Sequence, residues 1–118
     1  MRYLALIYSA EDAWDGLDPD ERSSIYERYR GLADEARAAG VMLAGEELAP
    51  TRDATSVRVR DAQTLVVDGP YAEAREALGG FFLFECETMD DALEWASRIP
   101  AVEHGAVEVR PVVEHEAA

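Results

Sequence analysis

The chain has 118 residues, 48% hydrophobic and 31% charged, which is the size and balance of one globular domain, so 1–118 is read as a single unit. Its formal net charge is −14, from 25 acidic side chains against 11 basic ones that are all arginine. With no cluster of positive charge it is a poor match for nucleic-acid phosphates or an acidic membrane surface, and neither is expected as a partner.

In chain order, Tyr3 to Tyr8 is a continuous apolar run and reads as a strand buried on both faces. Met1-Arg2 leads into too short an apolar stretch for a secretory leader, and no later run approaches the roughly 20 residues that span a bilayer. A soluble, cytoplasmic protein is therefore expected. A polar stretch from Ser9 to Leu17 follows and carries Trp14, read as exposed. Asp18, Pro19 and Glu21 then form a helix start, with a capping side chain, a proline at the first turn and the acid of a capping box. Ile25, Tyr29, Leu32, Ala33 and Ala36 recur at helical spacing, and Gly40 suits the position just past the helix end.

Val41 to Ala44 is expected as a second strand and Glu46 to Ala54 as loop. Val57 and Val59 on one side of Arg60-Asp61-Ala62-Gln63, and Leu65-Val66-Val67 on the other, give a hairpin. Asp68-Gly69-Pro70-Tyr71 breaks its second arm. Phe81 to Phe84 is the most apolar stretch and reads as a central strand. The lone cysteine, Cys86, cannot form an intramolecular disulfide and is read as a buried thiol. Thr88, with Asp91 three residues on, opens a second helix that turns Ala92, Leu93, Ala96 and Ile99 inward and stops at Pro100. Gly105 to Val113 alternates as a last strand.

The order is strand, helix, strand, inserted hairpin, strand, helix, strand. It predicts an α+β fold of the ferredoxin-like, split-βαβ kind, an antiparallel sheet with both helices on one face. In both central strands the residues of each face are apolar: Tyr3, Ala5 and Ile7 against Leu4, Leu6 and Tyr8, and Phe81 and Leu83 against Phe82 and Phe84. Helices cover only one of those faces. An uncovered apolar face marks an interface, so a homodimer closed sheet against sheet is expected.

The segment Asp68-Gly69-Pro70-Tyr71-Ala72-Glu73, followed by Leu78-Gly79-Gly80-Phe81, resembles the signature of the DGPF-domain branch of the YciI-like (YCII-related) family. The resemblance extends to Tyr3–Tyr8, Arg37-Ala38-Ala39-Gly40-Val41, Glu94-Trp95-Ala96 and Val107-Glu108-Val109-Arg110-Pro111, and so runs along nearly the whole chain. Tyr71 stands where the family name records Phe. The resemblance implies a dimeric α+β barrel and, for some members, an enzyme using a His–Asp pair with the His on the first helix. Here Pro19 to Ala39 holds no His, so Asp68 lacks that partner.

Asp68 at a strand end is a candidate general base or ligand acceptor, or alternatively the acceptor of its own turn's N–H groups. Gly69, Pro70, Tyr71, Tyr8 and Arg75 are candidate ligand-binding residues, the rings for apolar surface and the guanidinium for an anionic group. His104 is a weaker candidate base. Gly79-Gly80 has no following Lys or helix and is read as a bend beside the Asp68 turn rather than a phosphate loop. Two histidines without ligands at spacing make no metal site, and no cofactor is expected. The pattern reads as a small-molecule-binding or regulatory domain; a cofactor-independent lyase, isomerase or monooxygenase-like enzyme using Asp68 is the alternative.

Overall fold

The computed structural model describes residues 1–72 and 74–115. Strand β1 (Arg2–Ala10) runs into a short helix α1 (Glu11–Asp15), then α2 (Pro19–Ala38), β2 (Met42–Glu47), the hairpin β3 (Thr55–Arg60) and β4 (Gln63–Asp68), β5 (Glu76–Glu85), α3 (Met89–Ala96) and β6 (Ala106–Pro111). Single 3₁₀ turns lie at Thr51–Asp53 and Pro100–Glu103. The main sheet has the order β2-β5-β1-β6 with all neighbours antiparallel, and β3-β4 forms a separate two-stranded sheet. This is the expected α+β, ferredoxin-like arrangement with an inserted hairpin.

The alternation in β1 decides the layering. Tyr3, Ala5 and Ile7 are buried, and with Phe84 and Cys86 they pack against Leu32 of α2, Ala92 and Ala96 of α3, and Ile99 and Ala101 after it. Removing a ring such as that of Phe84, fully buried, from water contributes about 1.5–3 kcal/mol. Small residues on both helices let them sit close to the strands. The opposite sheet face carries Leu4, Leu6 and Tyr8, paired with Leu83, Phe81 and Leu78 of β5. Among the described residues no helix packs there.

Local signals set most of the helix ends. Asp18 accepts from the Glu21 N–H at 2.8 Å and Glu21 reaches back to the Asp18 N–H at 3.3 Å, a complete capping box. Gly40, at φ +73°, turns the chain out of α2. Thr88 caps α3 by accepting from the Asp91 N–H at 3.2 Å.

Five local expectations are corrected. Leu93, expected on the inward face of α3, is exposed, and Ala92 and Ala96 are the buried residues of that helix. The stretch Ser9–Leu17 is not all loop: β1 continues to Ala10 and α1 follows. Its Trp14 is half-buried, edge-on to Tyr26 of α2 at 5.3 Å between ring centroids, with the Arg22 guanidinium over its ring. Arg22 also donates to the Trp14 and Asp15 carbonyls, so α2 closes the C-terminal end of α1. Strand β2 runs on through Gly45-Glu46-Glu47, because β5 offers a ladder as far as Gly80. Finally, Gly79-Gly80 does not make room for the Asp68 turn. Gly79 lies where the β1–β5 register shifts, and a Cβ on Gly80 would stand 2.8 Å from the Glu46 carbonyl oxygen of β2.

Candidate functional site

The residues singled out by sequence fall at three places. The first is the foot of the hairpin. Strand β4 ends at Asp68, and Gly69 takes φ +109°, a conformation open to glycine. The turn is fastened to β3: the Gly69 N–H donates to the Ala54 carbonyl at 2.7 Å and the Ser56 hydroxyl donates to the Gly69 carbonyl at 2.8 Å. Among the described residues no hydrogen bond reaches the Asp68 carboxylate, which is exposed. The alternative in which Asp68 serves its own turn is therefore not what holds this corner; Ser56 and the backbone do that.

Strand alternation divides the corner further. Thr55 pairs with Asp68 and Val57 with Val66, so Asp68 shares a face with those valines. Tyr71 lies on the other face, under the Arg58 guanidinium at 4.3 Å from its ring centroid. There Ser56, Arg58, Leu65, Val67, Pro70 and Tyr71 line a shallow hollow of about 240 Å³. A cation over an exposed ring contributes about 0.5–1 kcal/mol, enough to bias the Tyr71 ring but not to lock it. Asp68 and Tyr71, close together in the motif, thus look in opposite directions. Glu73, also in the motif, lies outside the described residues.

The second place is an open cleft of about 430 Å³ lined by Ala10, Asp12, Ala13, Arg75, Glu76 and His104. It brings together Arg75 and His104, which are 29 positions apart in the sequence. His104 stands just past the 3₁₀ turn that ends at Glu103, and the Gly105 N–H that follows donates to the Ala101 carbonyl at 2.7 Å. The lining is mainly charged, two carboxylates beside one guanidinium and one imidazole. Such a set suits a polar ligand carrying both a cationic and an anionic group. Asp12 was missed by sequence reasoning, since the polar stretch around it gave no sign of α1. The one available signal was the i, i+3 pair Glu11 and Trp14, one residue holding Thr51 and the other packing on α2.

Glu11 shows how α1 is held. Its carboxylate accepts from the Thr51 hydroxyl and from the Thr51 N–H at 2.8 Å, and these bonds hold its pKa below the ordinary glutamate range. The third place is the open sheet face, where Tyr8 is half-buried beside Leu6 and Leu78 rather than in the core under the helices. A Cβ on Gly105 would overlap the Tyr8 carbonyl oxygen, so β6 begins pressed against the Tyr8 end of β1.

Elsewhere, Cys86 is buried, and burial first, then the charge of Asp91, pushes its thiol pKa up. A thiol held protonated is a poor nucleophile. Among the described residues no group of three or more His, Cys, Asp or Glu side chains is placed to hold a metal ion. Nor is any helix among them long and apolar enough to cross a membrane.

The model of the YCII-related domain matches residues 1–116, from β1 through β6. The chain belongs to the YCII-related family. A relative in Rhizobium meliloti (strain 1021), described as an uncharacterized protein, is 31% identical over 114 residues, covering 95% of this chain and 92% of its own length. This YCII-related chain therefore shares most of its length with a protein of nearly the same size.

Proposed function

We propose that this YCII-related chain is a single-domain, cytoplasmic homodimer of the dimeric α+β barrel kind that binds a small molecule, in a binding or regulatory role. The two copies close open sheet face to open sheet face, and the ligand lies between the sheet and the Asp68 corner. Its Asp68-Gly69-Pro70 motif supports membership of the DGPF branch, with Tyr71 in the position of Phe.

One observation carries the proposal. Leu4, Leu6, Tyr8, Leu78, Phe81 and Leu83 form a continuous apolar stripe down the two central strands on the face that no described helix covers. Ala44 and Glu46 flank it on the β2 side, and Glu108 and Arg110 on the β6 side. An apolar centre with a polar rim is the anatomy of a protein interface. Each copy carries −14, so the association works against electrostatic repulsion and has to be driven by burial of that stripe.

The ligand role rests on Asp68. An exposed carboxylate with no bonding partner among the described residues contributes little to the turn that it marks, and is open to accept hydrogen bonds from something else. Asp68→Ala should therefore change stability by no more than about 0.5 kcal/mol, which makes it a clean probe. A thermal-shift screen of polar and amphipathic metabolites is expected to yield a compound that stabilises the parent and not Asp68→Ala. At 100 times its Kd, a ligand adds about 2.7 kcal/mol, or roughly 10 °C for a chain of this size. Compounds that stabilise both proteins equally would place the site elsewhere, the charged cleft of Asp12, Arg75 and His104 being the first place to look.

A further inference from the structure

We propose that the β3–β4 hairpin is an arm that docks on a second copy of this chain through one of its two faces and carries Asp68 into the space between the paired sheets. The inference rests on the paired-sheet reading above and adds to it a specific contact and a shared site.

Among the described residues the hairpin is joined to no other strand. A lone two-stranded hairpin is marginal in water and needs a third strand or a packed face to be stable. This one nonetheless exposes Val57 at 64%, Val59 at 59%, Val66 at 65% and Val67 at 60%. Register sorts them. Val57, Val59 and Val66 lie on one face with Thr55, Thr64 and Asp68, whereas Val67 lies on the other with Ser56, Arg58 and Leu65. The second face is partly polar, with the Arg58 guanidinium stacked on the exposed Tyr71 ring beside Pro70. The first face holds neither a guanidinium nor an aromatic ring. It is built of β-branched residues, the kind that pack well on a pleated surface, with Asp68 as its one charge.

Charge and shape both point to a second copy as the occupant. Between Thr51 and Asp68 three arginines, Arg52, Arg58 and Arg60, balance three aspartates, Asp53, Asp61 and Asp68, so the whole −14 resides outside the arm. A neutral apolar arm is the part of this chain that can approach another such acidic body without repulsion. The radius of gyration is 16.4 Å and the extents are 50 × 48 × 18 Å. A compact chain of this length has a radius of about 13.5 Å. The molecule is a broad, thin plate with a projecting arm, a shape that a second plate completes.

The consequence concerns the site. Asp68 stands at the foot of the docking face, in line with Val66 and Val57. When that face is covered, the carboxylate faces the second copy's sheet, and each ligand site is made from two chains. Tyr71 and Arg58, on the opposite face, stay in solvent.

Adjacent residues provide the test. Val66 and Val67 are similarly exposed in the single chain but sit on opposite faces, and the native Cys86 is buried. Val66→Cys, Val67→Cys and Asp68→Cys are each labelled with a small maleimide, first as dimer and then as monomer, obtained by dilution or by adding Leu6→Arg. The thiols of Val66→Cys and Asp68→Cys are expected to react at least ten-fold more slowly in the dimer, and that of Val67→Cys at one rate in both states. In the unmutated chain, amide exchange across residues 55–68 is expected to slow on dimerisation. A dimer in which all three thiols react as fast as in the monomer, with amide exchange unchanged, overturns the arm and leaves the paired sheets standing. A chain that is monomeric at every concentration overturns both.

Discussion

Gly105 is where the sheet leaves least room, and replacing it tests the packing directly. A Cβ there would overlap the Tyr8 carbonyl oxygen and lie 3.2 Å from the Ser9 Cα, both backbone atoms that cannot swing aside. The start of β6 must then move away from β1, straining the pairing of Ala106 with Tyr8. Overpacking of this kind costs about 1–3 kcal/mol, and a lost ladder hydrogen bond about 1 more. For a chain of this size each kcal/mol is worth roughly 4 °C, so Gly105→Ala is expected to lower Tm by roughly 8–16 °C. Gly31 is the control. It lies inside α2, and a methyl group added there would meet nothing within 4 Å, so Gly31→Ala gains helix propensity without contact. That substitution should add about 0.8–1 kcal/mol and raise Tm. Differential scanning calorimetry on the two variants gives opposite signs if the close approach is real. An unchanged Tm for Gly105→Ala, or a fall for Gly31→Ala, would refute the reasoning.

Four further outcomes are expected. Asp18→Ala removes the α2 capping box and should lower the urea midpoint by about 0.5 M without changing the m-value. Asp61 and Ala62 both have positive φ, at 52° and 63°, in the hairpin turn; Ala62→Gly should relieve about 1 kcal/mol of strain and slow amide exchange in residues 55–68. The Glu11 pKa is lower folded than unfolded, so its contribution is present above the ordinary glutamate pKa and is lost as pH falls through the lower, folded value. Glu11→Gln should therefore be less stable than the parent at neutral pH, with the gap closing on acidification in pH-dependent urea melts. Because the two copies of the proposed dimer are both strongly acidic, its affinity measured by sedimentation should rise as ionic strength goes from about 10 to 150 mM, as screening shortens the Debye length. Affinity that falls with salt would mean that ion pairs, not the apolar stripe, hold the dimer.

The parts legible in the sequence are those set by neighbours a few residues apart. The Asp18–Glu21 box, Thr88 at the start of α3 and Gly40 act over one or two turns and took their expected places; Tyr3–Tyr8 is the expected strand, but within the chain it is buried on one face and half-buried on the other. What the sequence hid depends on distant partners. Helix α1 is five residues long and too short to stand alone; it is held by Thr51 on Glu11 and by Tyr26 and Arg22 on Trp14. The extension of β2 through Gly45 follows from its pairing with β5, where the Phe82 ring occupies the space that a Cβ at Gly45 would need. The candidate site shows the same division. The Asp68–Tyr71 corner was visible as a motif, but the opposite facing of its two side chains comes from the register with β3. The cleft joining Asp12, Arg75 and His104 draws on three segments far apart in the chain: α1 and the turns that precede β5 and β6.

The central claim is that the open face of the sheet is covered by a second copy. Multi-angle light scattering at micromolar concentration, on the parent and on Leu6→Arg, tests it most directly. The account predicts twice the 13.0 kDa chain mass for the parent and the single-chain mass for Leu6→Arg, with the far-ultraviolet circular dichroism of the two unchanged. A parent that elutes as a folded monomer, or a Leu6→Arg variant that remains a dimer, would contradict it.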